Sequence, residues 1–231
     1  MKINQTTFKG IPIYELHGIE FLIHYAFEKK QSLFPINEKI LRDFHLHEEL
    51  LFTDTVTFPQ DQAALLCLKK AGLENAVRID SYALWMQIIQ TYQTASRFYV
   101  IGYDEAVLVS CFKLLKQQYP EIELQSFVIG DHLSKDFKAI RKDLTHYQPD
   151  FVFVGRVKKY SRLFEMVLLS FRTQYNAIYV HVDDVFEQLV YKSNQYSFPK
   201  KMYLLIQNKI NSSIQWIYLI RFKLLLHLNL L

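Results

Sequence analysis

Residues 97–130 read "RFYVIGYDEAVLVSCFKLLKQQYPEIELQSFVIG", and this stretch decides the fold. Arg97 to Gly102 is an apolar run of strand length that stops on a glycine. Asp104 then stands in capping position before a run with helical spacing, and Pro120 closes that helix ahead of a second strand-like run, "IELQSFVIG". The unit repeats twice. "SKDFKAIRKDLTHY" leads to "DFVFVG", and "SRLFEMVLLSFRTQY" leads to "NAIYVHV". Strands alternating with helices of this length are the signature of a parallel sheet covered on both faces. The expectation is an α/β, Rossmann-like fold with strands at about 98–102, 123–129, 151–155 and 176–182, mainly parallel, and helices on both faces.

Upstream, "FKGIPIYEL" reads as a short strand closed by a turn near Gly18, and "IEFLIHYAFEKK" follows with helical spacing of Phe21, Tyr25 and Glu28. The chain therefore divides into a smaller N-terminal αβ lobe (1–95), a Rossmann-like lobe (96–195) and a C-terminal helical tail (196–231).

With half of its 231 residues hydrophobic, the chain can bury a sizeable core, which excludes a disordered protein. Its net charge is only +4, and acidic and basic residues alternate along most of its length. That argues against a nucleic-acid partner held by phosphate neutralisation. Cys67 and Cys111 each lie in an apolar run and read as reduced core residues of a cytoplasmic protein. The first residues contain no apolar stretch of signal-peptide length. The many Tyr and Phe residues sit mostly in apolar runs, so packing explains them before base stacking does.

A parallel sheet gathers the loops after its strands at one edge. Asp104, Asp131, Lys158, Lys159, Asp183 and Asp184 would meet there. In "QPDFVFVGRVKKYSRLF" (148–164) the strand breaks on Gly155, where a missing side chain lets backbone N–H groups approach a phosphate closely. No Walker-type loop, Ser-His-Asp order or zinc-spaced cysteine cluster is present. His45 and His47 in "DFHLHEEL" read as a solvated face, and neither a metal nor a cofactor is expected.

The order and wording of these segments resemble the WecG/TagA/CpsF family of bacterial glycosyltransferases from about Gly10 to the end. "YQPDFVFVGRVKKYSR" is similar to the family's Pro-Asp, apolar strand and glycine turn, with Pro149, Asp150 and Gly155 matching and Val157 at the second glycine. Gly102 matches the first glycine of a Gly-Gly turn, with Tyr103 at the second. "FPINEKIL" keeps Asn37, and "AVRIDSYALW" keeps Arg78 and Leu84. "YVHVDDVFEQL" keeps Val182 and Phe186, with Asp183 and Asp184 at two glycines and Glu187 at an aspartate.

The resemblance implies transfer of an N-acetylhexosamine, of the N-acetylmannosamine type, from a UDP-sugar donor to a lipid-linked saccharide acceptor. It implies catalytic roles for Asp61 and Asn37, and substrate binding by Arg78, Gly102, Asp131, Gly155, Lys158, Asp183 and Glu187. In "TFPQDQAALL" the family's catalytic aspartate falls on Gln60, which cannot take a proton at neutral pH; Asp61 follows as the candidate base and also reads as the first residue of a helix. Acidic residues at two glycine positions oppose a diphosphate, so the alternative is a catalytically silent relative that acts as partner subunit or acceptor-binding module.

The tail, "SSIQWIYLIRFKLLLHLNLL" (212–231), keeps one matching Trp216 and then runs out in leucines. From Trp216 onward its apolar residues are too few for the roughly twenty needed to span a bilayer; its mixture of aromatic, basic and apolar residues suits a membrane surface, with packing against a partner or the protein's own body as the competing readings. The expected location is cytoplasmic, peripheral to the inner face of the cell membrane, and homo- or hetero-oligomers stay open.

Overall fold

Alternate residues of the strand Arg97–Gly102 face two different hydrophobic cores, and this alternation builds the molecule. In the computed structural model, which describes residues 4–8, 11–43, 54–102, 104–129, 133–155, 171–172 and 174–193, eight strands form two sheets. β1 (Gln5–Phe8) and β2 (Ile11–Tyr14) make an antiparallel hairpin. The other six are β3 (Ser32–Ile36), β4 (Thr55–Pro59), β5 (Arg97–Gly102), β6 (Glu123–Val128), β7 (Phe151–Gly155) and β8 (Ile178–Asp183). They pair in parallel throughout, in the order β4-β3-β8-β7-β5-β6.

Phe98, Val100, Phe151, Phe153, Val180 and Val182 point to the first face. There they meet α1 (Ile19–Lys29), α4 (Ser81–Tyr92), α5 (Glu105–Gln118) and α7 (Val185–Lys192). The rings of Phe98 and Phe153 stack at 5.7 Å, and Trp85 of α4 meets Phe153 edge to face at 6.1 Å. Each such fully buried ring stabilises the fold by roughly 1.5–3 kcal/mol. Tyr99, Ile101, Val152, Val154 and Tyr179 point the other way, towards α6 (Leu133–Tyr147). On the same side, Phe34 and Ile36 pack on α2 (Glu38–Asp43) and α3 (Gln62–Lys70). β3, β4 and β7 are buried along their whole length, as strands covered on both faces must be. β6, at the edge, is the more exposed strand.

The four strands expected from the sequence are β5, β6, β7 and β8, each within two residues of its expected bounds. The sheet also runs across the boundary drawn near residue 95. β3 and β4, which lie in the N-terminal part, extend it beyond β8. Both are five-residue runs containing a proline; β3 lacks alternation, and in β4 the alternation of Thr55, Val56, Thr57 and Phe58 is only four residues long before Pro59 ends it. Pro35 offers no N–H to a ladder, and the β3–β8 pairing is confined to Leu33↔Val180. The tail lies outside the described residues, and among those described no helix is long and apolar enough to cross a membrane.

Strand order places a topological switch between β5 and β7. From β5 the chain passes through α5 to β6 on one side, whereas from β7 it proceeds to β8 on the other. In open parallel sheets the crevice beyond such a pair of strand ends is where ligands bind.

Candidate functional site

Gly102 ends β5 and Gly155 ends β7, so both glycines stand at the switch point. With Asp104, Val107, Leu108, Phe186 and Glu187 they line a shallow cleft. Its empty volume is about 200 Å³ including open solvent, and its floor has room for little more than one water molecule. The reason is apolar filling. A Cβ on Gly102 would meet the Leu108 methyls at 3.1–3.2 Å, and one on Gly155 would meet the Phe186 ring at 2.7 Å. Gly155 is thus required by a side chain in the first turn of α7, whereas a Cβ at Gly102 would ask the Leu108 methyls of α5 to give by a few tenths of an ångström. This is a packing demand, and it stands beside the expectation that the missing side chain at Gly155 lets a phosphate approach.

The polar residues of this edge serve the helices. Asp104 accepts the Val107 N–H at 3.1 Å, and Asp80 accepts the Ala83 N–H at 2.8 Å. Asn37 accepts the Ile40 N–H at 3.0 Å and so opens α2. Asp61 carries two such bonds: Oδ1 takes the Ala64 N–H and Oδ2 the Glu38 N–H, both at 2.8 Å. One carboxylate therefore caps α3 and ties it to the start of α2, next to Asn37. These bonds satisfy donors that a helix start otherwise leaves open.

Arg78 is exposed, and its neighbour Ile79 donates to the Pro59 carbonyl at 2.9 Å, which holds it beside the end of β4. Asp183 closes β8 opposite Gly155, across a bulge that skips Val182. Glu187 lies in the first turn of α7 and lines the cleft. Asn37, Asp61, Arg78, Gly102, Gly155, Asp183 and Glu187 thus all fall at the carboxyl edge of one sheet. They fall in two groups, with β4 separated from β5 by four strand steps of about 4.8 Å, roughly 19 Å in all. Asp131, Lys158 and Lys159 lie outside the described residues. Asp150 sits at the opposite edge, where its carboxylate accepts the Arg97 N–H at 2.8 Å and pins the entry of β7 to β5.

Electrostatically the cleft is acidic. Asp104 and Glu187 face it from the N-termini of α5 and α7, where a carboxylate is favoured by the helix dipole. Cys111 is fully buried, and burial together with Glu187 pushes its thiol up to about 12, which removes it as a nucleophile. His181 packs on Phe34 at 4.5 Å; burial and the Arg172 guanidinium lower its pKa to about 3. It is neutral across the physiological range. Sequence reasoning overlooked the apolar lining, Leu108 and Phe186, as a determinant of the cleft. Phe186 stood out only as a residue shared with the family-like segment and Leu108 not at all, because contact with the strand-end glycines is a tertiary fact.

Fold and site together define a Rossmann-like parallel α/β protein with an acidic, apolar-walled cleft at its switch point. Neither a family model nor a curated protein matches the sequence.

Proposed function

We propose that the chain is a glycosyltransferase of cell-surface polysaccharide synthesis, transferring an N-acetylhexosamine from a UDP-sugar to a lipid-linked acceptor. The observation that carries this reading is the convergence of separate segments. Stretches around residues 37, 61, 78, 102, 155 and 183–187 resemble one family in sequence, and all end at the same sheet edge. The span from β4 to β5 suits an extended nucleotide sugar. Its nucleotide would lie over Gly102 and Gly155, and its sugar would reach towards Asn37 and Asp61, with Arg78 near the acceptor end. Asp61 is the candidate base, and the tail at 214–231 docks the protein to the cytoplasmic face of the membrane.

A second reading, a silent relative acting as partner subunit or acceptor-binding module, is favoured by one observation. Both oxygens of Asp61 are already engaged in helix caps. Two measurements decide. Calorimetric titration of the full chain with UDP should give saturable binding. Transfer of a labelled N-acetylhexosamine from its UDP donor to an undecaprenyl-type acceptor should proceed and stop in Asp61→Asn. Binding without transfer selects the silent relative, and no UDP binding removes the transferase reading.

A further inference from the structure

Ser81 and Trp85 stand one turn apart on α4, so their side chains share a helix face. They are 4% and 0% exposed, and neither the Ser81 hydroxyl nor the Trp85 indole Nε1 has a hydrogen-bond partner among the described residues. Buried polar groups nearly always find a partner, so two orphaned donors on one face call for a physical reason. Phe186 supplies the connection to the cleft. Its ring stands edge to face with Trp85 at 5.5 Å, and it also fills the place in front of Gly155 that a Cβ would take. One ring therefore touches both the orphaned indole and the floor of the cleft.

We propose that Phe186 is a movable plug, and that Ser81 Oγ–H and Trp85 Nε1–H form a subsite that takes a neutral carbonyl oxygen of the ligand once the ring leaves Gly155. Size requires the movement, because the cleft has room for little more than a water molecule. Charge selects the ligand group. A phosphoryl oxygen beside Asp104 and Glu187 is repelled, whereas the carbonyl of the uracil ring satisfies both donors without adding charge. The exchange is favourable for a further reason: the closed state leaves two donors unmet, and the open state meets them. The inference rests on the UDP-N-acetylhexosamine reading and deepens it by naming which ligand atoms enter the cleft.

The test uses the full-length, nitrogen-15-labelled chain. It has two tryptophans, so Trp216→Phe assigns the indole resonance of Trp85. N-acetylglucosamine, uridine and UDP-N-acetylglucosamine are titrated separately, and the two fragments distinguish an acetamido from a uracil carbonyl. A saturable shift of the Trp85 indole proton is expected with the UDP-sugar and with uridine. Ser81→Ala should weaken binding about tenfold, the loss of one buried hydrogen bond. Phe186→Leu, which shortens the plug without emptying the core, should tighten it several-fold.

An indole resonance that stays fixed while calorimetry shows the UDP-sugar bound overturns the subsite and leaves the transferase reading intact. A shift with uridine alone, and none with UDP-sugar, supports the subsite and removes the nucleotide reading. Silence of all three ligands sinks both. If Phe186→Leu does not fold, relaxation dispersion of the Trp85 indole nitrogen replaces it. Millisecond exchange supports the plug, and a flat profile overturns it.

Discussion

The ring of Phe186 occupies the space in which a side chain on Gly155 would have to lie, with Cε2 2.7 Å and Cδ2 2.9 Å from an ideal Cβ position. Strand end and helix start are locked to each other through this absence. In this closed position Trp85 backs the ring, so an added Cβ would push it out of its packed place. Gly155→Ala should therefore destabilise the fold by about 1–3 kcal/mol, the usual cost of overpacking. Thermal melts read this as a loss of roughly 2–4 °C per kcal/mol for a chain of this size. Adding Phe186→Leu should recover much of the loss, because the two changes share one contact. Additive losses in the double variant would disprove the lock.

Asp61 offers a separation of stability from chemistry. Asp61→Ala removes the acceptor for both the Ala64 and Glu38 N–H groups and should cost about 1–2 kcal/mol. Asp61→Asn keeps one acceptor oxygen and should cost less. If Asp61 is also the base, Asn lowers turnover by about 10²–10⁴-fold while UDP affinity holds. Turnover retained in the Asn variant would leave Asp61 with only its capping role.

Acid should unfold this protein through His181. In the folded state its pKa is about 3, against 6.5 for the free side chain, because burial and Arg172 oppose the charged form. Between those values the unfolded chain binds a proton that the folded chain refuses. Stability is therefore complete above about pH 6.5 and falls as pH drops towards 3. His181→Phe should flatten the denaturant midpoint across pH 6.5–4 relative to the parent. An unchanged slope would mean that other groups carry the acid sensitivity.

Cys111 should resist thiol reagents in the native state. Burial and the nearby Glu187 hold its thiol near 12, so little thiolate forms at pH 8. Maleimide labelling at Cys111, read by mass spectrometry, should become rapid only on unfolding. Fast native labelling would show that the α5–α7 contact opens readily.

The proposed membrane attachment rests on the tail. Full-length protein should sediment with anionic liposomes at low salt, and a chain ended at Ser213 should stay in the supernatant. Equal partitioning of two well-folded proteins would end the membrane-surface reading.

The central strands were legible because their signals are local. The glycine after "RFYVI" and the cap before "EAVLVSCFKLLKQQ" lie within a few residues of what they punctuate. β3 was not legible because burial on both faces erases alternation and Pro35 weakens the strand pattern, and β4 because its alternating Thr55–Phe58 run is short and stops at Pro59. The same limit applied to the site. Asp61, Asn37 and Gly155 could be picked out as residue types, but each is engaged by a partner that spacing alone does not name.

The sequence by itself determined the α/β class and the four strands β5 to β8, since periodicity and caps are properties of neighbouring residues. Only the tertiary structure decided that β3 and β4 complete the sheet beyond β8. It alone set Phe186 against Gly155 and Trp85, and left Ser81 Oγ and Trp85 Nε1 without hydrogen-bond partners among the described residues. Those relations depend on how side chains more than thirty positions apart, such as Gly155 and Phe186, fill a shared volume. Close packing fixes that volume for the whole core at once, and no local pattern encodes it.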